Sequence, residues 1–212
     1  MSGLFISFEG TEGSGKSTQI RLLAERLINR PVRLVREPGG TPIGEEIRHT
    51  LQHSAQSHSM TPEAELLLIN ASRAQLVREI IRPALDRAEI VICDRFYDST
   101  TAYQGYGRGL DLTWVSQVID FAVGTTRPDL TILLFVPVAV SEARRLRRNA
   151  TGHVRPDRME KADRAFFQRV EAGYHAIAEK ESNRVKLIDA TQSIAVVQNL
   201  IWSAVSPLLQ IG

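Results

Sequence analysis

Gly10-Thr11-Glu12-Gly13-Ser14-Gly15-Lys16-Ser17 fills every fixed position of G-x-x-x-x-G-K-[ST], directly behind the apolar run Leu4 to Phe8. The chemistry open to such a stretch is phosphate binding. Glycines let successive backbone N–H groups turn toward one polyanion, Lys16 adds a mobile positive charge, and the Ser17 hydroxyl is a hard oxygen donor for Mg²⁺. The next residues, Thr18 to Asn29, place Ile20, Leu22, Leu23, Leu27 and Ile28 at helical spacing, so that a helix N-terminus faces the same phosphates. At ordinary residue frequencies the fixed positions arise by chance in roughly one chain in a hundred of this length, and the flanking strand and helix reduce that further.

Other residues add to this donor site. The apolar run Ile90 to Cys93 ends in Asp94-Arg95. An acid at a strand tip complements Ser17 as a Mg²⁺ ligand, directly or through water, and Arg95 beside it is suited to bridge the phosphates of two substrates. The run Val32 to Val35 ends in Arg36-Glu37-Pro38-Gly39-Gly40, a second charged turn on the same sheet edge. A second substrate would explain it, with Glu37 the candidate for metal, water or substrate contacts; Pro38 to Gly40 is also ordinary turn chemistry. Ile69 and Arg73 are four apart and share a helix face, pairing an apolar platform with a fork for a phosphate or a base carbonyl. Gln104, in Ala102-Tyr103-Gln104-Gly105, offers both a donor and an acceptor to a pyrimidine edge. Taken singly, these are equally a core isoleucine, a surface arginine and a loop glutamine.

One segment breaks the helical pattern. Asn149 to Met159 is polar, contains Gly152, Pro156, Arg155 and Arg158, and follows Arg144, Arg145, Arg147 and Arg148. It reads either as a surface loop beside a solvated basic helix or as a lid, 149–160, that closes arginines over a transferred phosphoryl group.

The elements that must position these residues follow from periodicity. Leu4–Phe8, Val32–Val35, Ile90–Cys93, Leu130–Val136 and Val185–Ile188 read as strands. Helices are expected at Gly15–Asn29, Ile43–Gln52, Pro62–Ala88, Leu112–Val123, Ser141–Arg148, Lys161–Ser182 and Ile194–Leu209. The third of these must bend or break near Arg82-Pro83. Strands alternating with helices give an α/β fold, a five-stranded parallel sheet flanked by helices, with ligands at the carboxyl ends of the strands.

Composition agrees with one soluble domain over 1–212: 43% hydrophobic and 24% charged residues, net charge +2. Neither a membrane span nor a signal peptide is expected, and a cytoplasmic location is the simplest reading. Cys93, the only cysteine, is expected to be a buried strand residue without a disulfide. Only Lys16, Lys161, Lys180 and Lys186 of the 26 basic residues are lysines. Arginine is the better fork for phosphates, although a GC-rich genome produces the same bias.

The phosphate loop, Arg36-Glu37-Pro38-Gly39-Gly40, Ala71-Ser72-Arg73, Asp94-Arg95, Ala102-Tyr103-Gln104-Gly105 and Arg155-Pro-Asp-Arg-Met-Glu160, in this order and spacing, resemble bacterial thymidylate kinases, and Ile188-Asp189-Ala190-Thr191 also fits. The resemblance implies the three-layer P-loop nucleoside monophosphate kinase fold and transfer of the γ-phosphoryl group of Mg-ATP to dTMP, giving ADP and dTDP. It implies that Gly10 to Thr18 (Gly10, Thr11, Glu12, Gly13, Ser14, Gly15, Lys16, Ser17 and Thr18) hold the ATP phosphates, with adenine between Arg144 and the loop near Thr191. Arg48, Arg73 and Arg95 would surround the dTMP phosphate or base, Thr100 and Gln104 would read thymine, and Tyr103 would lie against the deoxyribose and exclude a 2′-hydroxyl. Glu37, Pro38 and Ile69 complete the dTMP set, and Ser17 and Asp94 the Mg²⁺ set. Acidic Glu12 and the arginine-rich lid resemble the bacterial subtype whose catalytic arginine comes from the lid; Arg147, Arg148, Arg155 and Arg158 all remain candidates. Ile69 replaces the phenylalanine usual in the family, removing an offset-stacking contribution of about 1 kcal/mol. A homodimer is implied, with no nucleic-acid or membrane partner. The alternatives are another nucleoside monophosphate kinase, or a nucleotide-dependent switch, which would carry an Asn-Lys-x-Asp signature that does not occur.

Overall fold

The computed structural model describes residues 3–54, 57–150 and 162–209. Its centre is a five-stranded sheet in the order β2-β3-β1-β4-β5, with β1 Leu4–Glu9, β2 Val32–Arg36, β3 Ile90–Asp94, β4 Leu130–Phe135 and β5 Val185–Asp189. Every pair is parallel, with Ile6 opposite Ile92 on one side and Leu130 on the other. The chain leaves β1 for the far edge at β2, returns to β3, and then crosses to β4 on β1's other side. The strand order therefore reverses at β1, where the crevice above the carboxyl ends opens.

Alternation along the central strands feeds two cores. Ile6, Phe8, Ile92, Ile132 and Leu134 pack on one face against α1 (Lys16–Arg26) and α9 (Ile194–Val205) through Leu23, Ile201 and Val205. Phe5, Val91 and Cys93 pack on the other against α3 (Pro62–Leu76) and α6 (Leu112–Val123) through Leu66, Leu76, Val115 and Ile119. Cys93 is free and buried, as expected. Thr61 and Asp111 cap α3 and α6 with side-chain oxygens. The remaining helices are α2 (Pro42–Gln52), α7 (Val138–Ala150) and α8 (Arg164–Lys180). No described helix is long and apolar enough to cross a membrane.

The long helix expected over Pro62–Ala88 is interrupted where proline requires. The π-helical segment Val77–Ile81 separates α3 from α4 (Arg82–Asp86), whose first turn takes Pro83, where a missing N–H costs nothing. Four expectations on helix limits are corrected. The first helix stops at Arg26, not Asn29; α7 starts at Val138, three residues earlier than Ser141; α8 is Arg164–Lys180 where Lys161–Ser182 was expected; and α9 ends at Val205, with a 3₁₀ turn over Ser206–Leu209. The largest correction is a helical stretch where none was expected: α5 (Tyr97–Thr100) runs directly into the π-helical segment Thr101–Gly107.

That stretch is held by packing rather than propensity. α8 lies along it, with Phe166, Phe167, Val170 and Tyr174 joining Ala102 and Tyr103 in a third apolar cluster. Arg169 donates to the Gly107 carbonyl at 3.0 and 2.9 Å. At its start, Arg184 grips both oxygens of buried Asp98 at 2.8 Å.

Candidate active site

Gly10 takes φ 134°, and a Cβ there would stand 2.4 Å from the Leu134 carbonyl oxygen. The N-cap of α1, Gly15, takes φ 96° with nothing within 4 Å of a built Cβ, so the helix N-terminus opens to a ligand. The Lys16 ammonium is buried and donates to the carbonyls of Gly10 and Thr11 at 3.0 and 3.2 Å. Burial, with the Arg95 charge second, lowers its pKa from the usual lysine value. The hydroxyls of Thr11 and Ser14 are buried with no protein partner. Arg144 spans from the Gly13 carbonyl at 3.2 Å to that of Ala190 at 3.0 Å, so it ties the loop to the turn after β5. Thr18 sits on the first turn of α1, half-buried.

The Ser17 Oγ lies 3.5 Å from Asp94 Oδ2. A hydroxyl and a carboxylate at that separation are hard oxygen donors of the kind Mg²⁺ takes. No cluster of three or more His, Cys, Asp or Glu suited to a metal occurs among the described residues.

Arg95 occupies the middle of the site. Its φ of 70° is uncommon for a residue with a Cβ. The guanidinium donates to the Gly10 carbonyl at 2.9 Å, to Ser99 Oγ at 3.0 Å, to Tyr174 OH at 3.3 Å and to Glu12 Oε1 at 2.7 Å. The Tyr103 ring centroid lies 5.2 Å from it. The Ser99 and Tyr174 hydroxyls also meet Glu9, whose Oε2 accepts from Ser99 at 2.5 Å and from Tyr174 at 3.2 Å, while Oε1 accepts from the Phe96 N–H at 2.7 Å. Burial first, then the Asp98 charge, raises the Glu9 carboxyl to about 7.

The far wall is built around Arg73, which is 1% exposed. It donates to Glu37 Oε2 through Nε at 2.8 Å, to Asn70 Oδ1 at 2.7 Å and to Thr100 Oγ1 at 2.9 Å, and its Nη2 lies 2.7 Å from Glu37 Oε2 in an ion pair. Glu37 keeps its other oxygen buried and unpartnered, and burial, opposed by Arg73, raises its pKa. Ile69 lies one turn before Arg73 and faces the same space. Arg48 donates to the Pro38 carbonyl at 2.8 Å across the cis Glu37-Pro38 bond. Gln104 is buried and donates through Nε2 to Glu65 Oε1 at 2.7 Å.

One cavity of about 450 Å³ joins the two walls; Thr11, Ser14, Arg144, Glu9 and Tyr174 stand outside its lining. Lys16, Ser17, Glu12 and Asp94 form one end and Glu37, Arg73, Thr100 and Gln104 the other, with Arg95 between them. The arginine at position 73 is thus neither exposed nor free, and Gln104 lies in a helical segment rather than a loop. Glu37 gives Oε2 to Arg73 as its counter-charge and keeps Oε1 without a partner. Arg155 and Arg158, with most of the expected lid, lie outside the described residues.

Sequence reasoning missed Glu9, Ser99, Tyr174 and Glu65. A signal existed for Glu9: Ser7 and Glu9 are polar residues on one face of an otherwise apolar strand that is buried on both sides. None existed for Tyr174 or Glu65, whose partners are far away in the chain.

The site's arrangement has counterparts among known proteins. The family model described as thymidylate kinase matches residues 8–201. A thymidylate kinase of Syntrophotalea carbinolica is 47% identical over 210 residues, covering 98% of this chain and 97% of that protein. One from Pseudomonas fluorescens is 47% identical over 212 residues, covering 99% and 98%. The crystal structure of the Ehrlichia chaffeensis thymidylate kinase superposes with a TM-score of 0.76 at 34% identity, over 97% of this chain and 99% of that one. With a phosphate loop and a buried arginine-lined pocket facing each other in one cavity, and likeness along nearly its whole length, the chain belongs to the thymidylate kinase family.

Proposed function

We propose that this protein transfers the γ-phosphoryl group of ATP to the 5′-phosphate of dTMP, giving ADP and dTDP. The observation that carries the proposal is the single cavity with a phosphate loop at one end, the Arg73 cluster at the other, and Arg95 between them.

The attacking oxygen of dTMP is already anionic, so no strong base is needed and catalysis consists of positioning and charge neutralisation. Lys16, resting on two loop carbonyls, exchanges them for phosphate oxygens when ATP binds. Arg95 exchanges Glu12 for the acceptor phosphate and holds it in line. Arg48 and Arg73 border the dTMP side; Thr100 and Gln104 meet the base, Ile69 and Pro38 flank it, and Tyr103 lies against the sugar. Arg144 borders the adenine. Ser17 and Asp94 would hold Mg²⁺, which supplies divalent counter-charge to the ATP phosphates when bound. Closure of the lid, 149–160, brings an arginine, Arg155 or Arg158, onto the transferred group and excludes water that would hydrolyse ATP. The proposal includes a cytoplasmic homodimer.

The test is a coupled assay of ADP release with dTMP, dUMP, dGMP and dAMP as acceptors. Stimulation strongest with dTMP is expected, and Lys16→Ala is expected to lower turnover by roughly a hundredfold or more while leaving the fold intact. ADP release that dTMP does not stimulate would overturn the assignment.

A further inference from the structure

Glu65 stands in the first turn of α3, fully buried, and takes no part in phosphate chemistry. Its Oε1 accepts from Gln104 Nε2 at 2.7 Å and from Arg108 Nε at 3.3 Å, and its Oε2 accepts from Arg108 Nη2 at 3.1 Å. An ion-paired carboxylate can only accept, so the half of the Gln104 amide that faces Glu65 must be the NH₂. Gln104 is 1% exposed and lines the cavity with its other half.

We infer that Glu65 sets the base specificity of the site by fixing the polarity of the Gln104 amide, so that the cavity reads its base through a carbonyl acceptor. This rests on the proposal that the cavity's far end takes the base of the acceptor nucleotide. The neighbouring group supports the pattern. Asn70 is locked in the same way, donating through Nδ2 to the Leu66 carbonyl at 2.8 Å and turning Oδ1 to Arg73. Arg73 commits Nε to Glu37, both Nη2 protons to Thr100 and the Phe96 carbonyl and one Nη1 proton to Asn70, leaving a single Nη1 proton for the cavity. A donor beside an acceptor matches the O4 and N3–H of thymine or uracil. It opposes cytosine, which presents an amino group and an unprotonated N3 there. Rejection of cytosine therefore originates in a residue that never touches the base.

The experiment compares dTMP with dCMP as acceptors in the wild type and in Glu65→Gln. Either seating of the new amide sets its NH₂ against a donor of Arg108, so the charge-assisted hold on Gln104 Nε2 is weakened and Gln104 is released to turn its own NH₂ to the base. The kcat/KM for dTMP is expected to fall and that for dCMP to rise, narrowing their ratio by roughly tenfold to a hundredfold. A folded Glu65→Gln enzyme with the wild-type ratio overturns the inference, because a merely structural role lowers both substrates together.

Wild-type protein carries the test if that variant does not fold. The side-chain NH₂ resonances of Gln104, assigned by their loss in Gln104→Leu, are expected to exchange slowly with solvent both with and without dTMP. Protection that appears only when dTMP is added would show the amine facing the base and would overturn the inference. Failure of the wild type to phosphorylate dTMP at all would instead overturn the functional reading, whatever the exchange rates.

Discussion

Glu9 shows how a single residue combines stability with site geometry. It sits where β1 enters the phosphate loop, 0% exposed, and reaches Arg95 through the hydroxyls of Ser99 and Tyr174. Its carboxyl titrates at about 7 rather than 4.5 because burial penalises the charged form. An acid with a raised native pKa binds more protons folded than unfolded across that interval. Its contribution is therefore fully present below pH 4.5, declines as pH rises toward 7, and is constant above. Relative to Glu9→Gln, the wild type is expected to lose on the order of 3 kcal/mol between pH 4.5 and 7.5, a loss measurable by urea unfolding of both proteins at each pH. Parallel stability curves would refute this. The residues proposed to touch phosphate were legible because a phosphate loop has a fixed spacing: Gly10, Lys16 and Ser17 can be read without knowing the fold. The residues that hold other residues were not, since Glu65 meets Gln104, and Glu9 meets Tyr174, only after folding.

At the scale of elements, periodicity revealed the strands and most helices but not Tyr97–Gly107. Its β-branched, aromatic and glycine residues are poor helix formers, and the segment is helical because α8 and Asp98-Arg184 hold it there. Gly107 on this segment and Gly173 on α8 permit the close contact between the two. A Cβ on Gly173 would lie 2.8–2.9 Å from Cδ2, Cγ and Cβ of Tyr106, and one on Gly107 would lie 2.7 Å from Phe166 Cε2. Because Tyr103 and Gln104 ride on this segment, pushing it away from α8 alters the base pocket as well as the core. Gly173→Ala, in helix α8 where alanine is otherwise favoured, is therefore expected to destabilise by about 1–3 kcal/mol. It should also raise the KM for dTMP more than that for ATP. Thermal unfolding and steady-state kinetics check both, and a variant as stable as the wild type would show that the helices slide apart freely.

At the scale of the whole molecule, the parallel sheet and its carboxyl-end crevice were readable from strand–helix alternation, because right-handed crossovers leave few other arrangements. The outer surface was not, since an exposed apolar residue looks like a core residue until the fold is known. Trp114, Val118 and Phe121 fall at i, i+4 and i+7 of α6, on a stripe beside the core residues Val115, Ile119 and Ala122, with Val118 packed partly against that core. Trp114 is 67% and Phe121 85% exposed, and Leu67 on the adjoining α3 is 59% exposed. The reverse face of α3 carries Ile69 and Arg73 into the cavity, so a partner seated on this stripe would brace the helix that forms the proposed base-binding wall. If the proposed homodimer uses this surface, Phe121→Glu puts a charge into an apolar contact and should shift the protein from dimer to monomer at micromolar concentration, read by sedimentation velocity. Fold is expected to be retained, because the residue touches no core cluster, while dTMP affinity weakens as α3 loses its support. A dimer that persists unchanged would place the interface elsewhere on the molecule. A wild type that sediments as a monomer would remove the homodimer altogether.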